Sequence, residues 1–188
     1  MKLTKLITLL LIAAPLLLTS CDQKERQAEQ QSSAKSIKNE KELRLENEVR
    51  EQLVPFYKQL AHYYATNDLD KLDPAKLFAT ICTDRFNRLY KECDILSEKN
   101  GFCVLDYDVW IMAQDFDKVS FRIKDIKVKN DTTATTDVLI NNMNTQNISH
   151  LMLKKHDSKW LVDDIYGELD GQPLPSACTD MEQFLITQ

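Results

Sequence analysis

Glycine is scarce in this chain: three residues in 188, none in a run that would cradle a phosphate. Histidine is equally sparse, at His62, His150 and His156, and no serine or cysteine is tied to any of them by a nucleophile motif. The cysteines form neither a CxxC pair nor a His/Cys cluster with zinc spacing. A basic excess is missing too, since 24 Lys and Arg stand against 29 Asp and Glu, a net charge of −5. Nucleic-acid binding and charge-driven adhesion to an anionic membrane both need a concentrated basic surface, so both are excluded as expectations. No cofactor and no metal is expected, and a calcium loop is excluded by its missing ligand spacing.

What the chain does have is an address. Lys2 and Lys5 precede an apolar run from Leu6 to Leu18, too short to span a bilayer comfortably, and Leu18-Thr19-Ser20-Cys21 follows. The tetrapeptide resembles the bacterial lipobox, which implies that Cys21 is acylated and becomes the mature N-terminus. Cleavage there would remove two lysines and leave the chain at −7. Residues 1–20 are therefore expected to be a lipoprotein signal peptide, with the remainder facing the periplasm. Asp22 resembles an inner-membrane retention signal, which favours the inner over the outer membrane.

Residues 21–39 are rich in Gln, Glu, Lys and Ser and are expected to form a disordered tether spanning about 25 Å. Residues 40–188 are expected to be one domain. Its first half has helical periodicity: Val49, Leu53, Phe56, Tyr57, Leu60, Ala61 and Tyr64 form one stripe, interrupted by Pro55, which should kink the helix or mark its true start. Asp73-Pro74 and Thr83-Asp84 are start signals for two further helices, and Asn100-Gly101 is a stop. From Phe121 the pattern alternates through four strands, with a phase slip near Asp125 that predicts a β-bulge. The predicted class is α+β, with N-terminal helices packed on a curved four-strand antiparallel meander and a short helix or coil at residues 178–186.

In an oxidising compartment the cysteines other than Cys21 predict two disulfides. Cys82 and Cys93 on one continuous helix would lie about 16 Å apart, too far to bridge. The reversal at Asn100-Gly101 instead suits Cys93 with Cys103, leaving Cys82 with Cys178.

Asp106-Tyr107-Asp108, Gln114-Asp115-Phe116, the alternation of Ala134 and Val138, and the run Lys159 to Ile165 resemble the YbjP/YqhG-like group of enterobacterial envelope lipoproteins, a domain of unknown function. The resemblance implies a cystatin-like, nuclear-transport-factor-two-like cone and an envelope location, and brings no activity. Gln114 and Asp115 are candidates for binding a ligand or partner at the mouth of the cone, or for bonding backbone where an irregular segment enters the sheet. Asp163 and Asp164 are the second candidate pair. As neighbours on a strand they should point to opposite faces and so cannot share a proton as a catalytic dyad.

No catalytic set emerges, and the chain is not expected to be an enzyme. The leading expectation is a lipid-anchored, non-catalytic accessory protein that binds an envelope protein partner. An immunity lipoprotein that neutralises a periplasm-acting toxin, and a small-ligand binder or enzyme using the cone cavity, are the alternatives.

Overall fold

Thr83 separates two helices. Its extended backbone (φ −66°, ψ 159°) and a side chain that accepts the N–H of Phe86 make it an N-cap, as its sequence position predicts. A computed structural model describes residues 20–66, 74–101, 105–169 and 172–187. These comprise α1 (Ser20–Thr66), α2 (Pro74–Ile81), α3 (Asp84–Asn100), β1 (Ser120–Asn130), β2 (Thr133–Asn142), β3 (Thr145–His156), β4 (Lys159–Leu169), β5 (Gln172–Pro173) and α4 (Ala177–Thr187). The chain divides into two compact units, residues 1–41 and 42–188, and the buried core of the described residues lies in the second.

Helix α1 begins at Ser20, so it takes in the stretch expected to be a coil. That stretch contains no glycine or proline and is rich in Glu, Gln, Lys and Ala, all good helix formers. Pro55 sits inside α1 and does not mark its start. Leu45, Val49, Leu53, Phe56, Leu60 and Tyr64 are buried along one stripe, the expected face extended by one turn. Gly101 closes α3 at φ +75°, its N–H donated to the Ser97 carbonyl, a left-handed cap that only glycine takes without cost.

The strands form one antiparallel sheet in the order β1-β2-β3-β4-β5. The fold is therefore α+β with a meander, as expected, plus a two-residue fifth strand. The register slips between Ile123 and Ile126, which places the anticipated bulge at Asp125. The β2–β3 hairpin turns through Met143 and Asn144, both at positive φ (51° and 66°), matching the twist of a two-residue primed turn without glycine. A second slip, between Met152 and Leu153, leaves Asp163 as an extra residue in β4. Trp160 and Val162 face the core before it, and Ile165 and Gly167 after it.

Among the described residues Cys82, Cys93 and Cys178 are free, buried thiols. Cys103 lies outside the described residues, as does the signal segment 1–19. The break at Cys82-Thr83 sets Cys82 and Cys93 on different elements. Cys82 bridges to Val162 of β4, while the Cys178 thiol lies 3.4 Å from the carbonyl of Asp163.

Candidate functional site

The segment between α3 and β1 turns around Asp108. Its carbonyl accepts the N–H groups of Ile111 (3.2 Å) and Met112 (2.8 Å), and its own N–H is donated to Ala113 (2.9 Å). One carboxylate oxygen accepts the Trp110 N–H at 2.8 Å; the other accepts the Tyr64 hydroxyl of α1 at 2.5 Å. The turn forces Met112 to φ 51°, a left-handed conformation that costs a side chain about 1 kcal/mol. Asn147 on β3 steadies it by donating to the Met112 carbonyl at 2.9 Å.

The turn closes a cavity of about 200 Å³ against α2, α3 and α4. Phe78, Tyr90, Tyr107 and Trp110 give it aromatic walls, with Asp108 and Cys93 also on its surface. Phe78 packs on Trp110 at 5.1 Å and on Tyr90 at 6.3 Å between ring centres. Two polar atoms of these walls, the Trp110 indole N–H and the Tyr107 hydroxyl, are buried and make no hydrogen bond with the protein. Each such group costs about 1–3 kcal/mol when unpaired.

Burial sets the electrostatics of this region. It raises the carboxyl of Asp108 above the usual carboxylate value, against the opposing hydrogen bonds from Tyr64 and from backbone N–H groups. Burial, aided by the charges of Asp180, Asp106 and Asp164, pushes Tyr107 up to about 12. The Cys93 thiol is pushed up to about 11, mainly by burial and secondarily by Glu92. It is therefore protonated at neutral pH and does not present a thiolate to the cavity.

The four candidate residues from the sequence lie elsewhere. Gln114 and Asp115 are exposed in the approach to β1. There the clamp is Asn142, at the end of β2, whose amide donates to the Asp115 carbonyl (2.7 Å) and accepts the Asp117 N–H (3.0 Å). Asp163 is buried, pairs with Lys154 at 2.8 Å and accepts the Thr83 hydroxyl at 3.1 Å. Asp164 accepts the N–H groups of Ile165 (2.8 Å) and Cys178 (3.2 Å), the latter in the first turn of α4. The register pairs Asp164 with Met152 and leaves Asp163 without a partner on β3, so the pair sits at a bulge and not in a regular stretch of strand. Their oxygens are engaged in joining β4 to the α2–α3 junction and to α4.

On β2 and β3, His150 Nδ1 lies 2.7 Å from Asp137, and its ring stacks on Tyr166 at 4.9 Å. Ser149, next in the chain, is fully buried and so is not presented to that pair. Sequence reasoning noted Asp108 but missed Tyr64, Tyr107 and Trp110 as its partners in a site. The available signal was an acid beside two large aromatics in a segment without helical or strand period.

No family model matches the chain, and no curated protein matches it. A solved structure with some likeness is a phospholipid-binding protein from Ralstonia solanacearum in complex with a phospholipid, 14% identical, with a TM-score of 0.33. The alignment covers 69% of this chain and 62% of that one, so the chain spans under two thirds of that protein's length. An overlap this low carries no functional argument.

Proposed function

We propose that this protein is a lipid-anchored, non-catalytic binding protein of the bacterial cell envelope. Its ligand is a small, largely apolar molecule with a hydrogen-bond acceptor, held in the aromatic cavity beside Asp108. The observation that carries this reading is the pair of unpaired buried donors, Trp110 Nε1 and Tyr107 OH, in residues of a mainly aromatic and apolar wall that also carries Asp94, Ser97 and Asp108. Concave apolar sites with a few convergent polar groups are the usual form of small-molecule pockets. Cys93 is protonated and both Asp108 oxygens accept hydrogen bonds, so neither of these two wall residues offers a free nucleophile or base, which favours holding over bond-making.

The chain has two tryptophans, so Trp160→Phe leaves Trp110 as the reporter. Neutral 1-aminoanthracene should quench its fluorescence at micromolar concentration, and Ser97→Phe, at the cavity wall, should abolish the quenching. Equal quenching with the cavity blocked would end this reading.

The anchor rests on Leu18-Thr19-Ser20-Cys21, and the oxidising compartment makes a Cys82–Cys178 crosslink part of the same proposal, since the Cys82 backbone bridges to Val162 and the Cys178 thiol lies 3.4 Å from the Asp163 carbonyl of the same strand. Cys21→Ser should lose radioactive palmitate labelling and accumulate as precursor. Non-reducing peptide mapping of exported protein should recover Cys82 joined to Cys178; two unmodified thiols there would dismiss the crosslink and leave the cavity reading intact.

A further inference from the structure

Arg50, Val54, Tyr57, Lys58 and Ala61 recur on one face of α1, opposite Ser120–Ile123 of β1. Between them runs an open groove of about 410 Å³, within the range of small-molecule sites. Its floor is apolar: Val54, Ala61, Phe121 and Ile123 are half-buried, and the buried Tyr57 ring lies 4.9 Å from Phe121. Three exposed cations, Arg50, Lys58 and Arg122, line it, and no carboxylate does. None of the three has an ion-pair or hydrogen-bond partner among the described residues.

In a chain of net charge −5 this is a local reversal of sign. Lysines on an edge strand also discourage edge-to-edge association, which accounts for Lys124, Lys127 and Lys129 further along β1. That role does not account for a water-exposed apolar floor with three unpaired cations around it. Apolar area and positive charge side by side match a molecule that carries both an acyl chain and an acidic head.

We propose that the groove between α1 and β1 binds an anionic single-chain amphiphile, its acyl chain on Val54, Ala61, Phe121 and Ile123 and its acidic headgroup among Arg50, Lys58 and Arg122. The site shares no lining residue with the cavity beside Asp108 and stands independently of it. Net repulsion from the whole chain keeps it off anionic surfaces in general, while the groove selects single molecules by local charge.

The test uses the chain from position 21 onward, with Cys21→Ser so that its own lipid does not interfere. Calorimetry compares lysophosphatidylglycerol with lysophosphatidylcholine of the same chain length, both below their micelle concentrations. The anionic lipid should bind at least tenfold more tightly, and the preference should shrink with added salt as screening predicts. Arg50→Gln, Lys58→Gln and Arg122→Gln combined should erase the preference, while the charge-preserving set Arg50→Lys, Lys58→Arg and Arg122→Lys should retain it. Ala61→Trp, which fills the floor, should weaken both lipids. If the glutamine set melts early, the salt dependence of the wild type decides the matter. Equal affinity for the two lipids, or a salt-insensitive preference, overturns the proposal. So does inorganic phosphate or an acidic peptide displacing the anionic lipid at matching affinity.

Discussion

Two acidic regions of the domain differ in how their polar groups are partnered. At the β4 bulge, Asp163 and Asp164 are engaged with Lys154, Thr83 and two backbone N–H groups. At the Asp108 turn the carboxylate is equally engaged, yet the adjoining Trp110 indole N–H and Tyr107 hydroxyl are buried without partners. The first arrangement is that of a joint between elements, in which every polar group contributes to the fold. The second leaves two desolvated donors without partners in residues that line one cavity, at a cost to stability. Adjacent carboxylates attract attention in a sequence, but the partnering of the surrounding groups separates a joint from a site.

The largest effect should come where β4 passes the Asp108 turn. A Cβ on Gly167 would stand 2.6 Å from the Ile148 carbonyl oxygen and 2.9 Å from the Met112 sulfur. Backbone cannot yield as a side chain can, so Gly167→Ala should cost about 3 kcal/mol in urea denaturation. It should also loosen the cavity, because Met112 belongs to the turn. A variant as stable as wild type would mean that the strand and the turn are not in the contact described.

Asp163→Ala tests the joint itself. Losing its bonds to Lys154 and Thr83 should cost about 2 kcal/mol, with aminoanthracene binding unchanged. Tyr107→Phe tests the opposite case: stability should stay level or rise, by up to about 1 kcal/mol, while ligand affinity falls. The two variants should thus separate in sign. If Tyr107→Phe destabilised as Asp163→Ala does, the distinction between joint and site would collapse.

The smallest effect concerns pH. Burial raises the Asp108 pKa in the folded state, so the folded protein binds that proton more tightly than the unfolded chain does. Its favourable contribution is complete below the ordinary carboxylate value of 3.8 and is lost as pH rises through the raised folded value. Asp180 shifts in the same direction, chiefly through burial, and adds a parallel slope. Asp108→Asn should remove only its own share, so the difference between wild type and variant should narrow toward acid and widen toward neutrality. Chemical melts between about pH 3 and pH 7 read this directly, and a difference that does not vary with pH would contradict the assignment.

Much of the scaffold was legible because its signals are local. The Thr83 cap, the Gly101 stop, the apolar stripe of α1, the meander and the bulge near Asp125 all follow from residue types within a few positions of one another. Helix caps and strand alternation act over that range. The bulge at Asp163 was missed, although the step from Trp160 and Val162 to Ile165 is the same phase slip that marks Asp125; pairing with β3 shows the residue left over.

The sequence by itself determined the class of the fold, the order of its elements and the faces they bury, since periodicity and capping are properties of neighbouring residues. Tertiary structure alone decided which polar groups are satisfied. Tyr64 reaches Asp108 across 44 positions and Thr83 reaches Asp163 across 80, whereas Trp110 Nε1 and Tyr107 OH reach no protein partner at all. Hydrogen-bond satisfaction depends on what packing brings within about 3 Å, and chain distance carries no record of that.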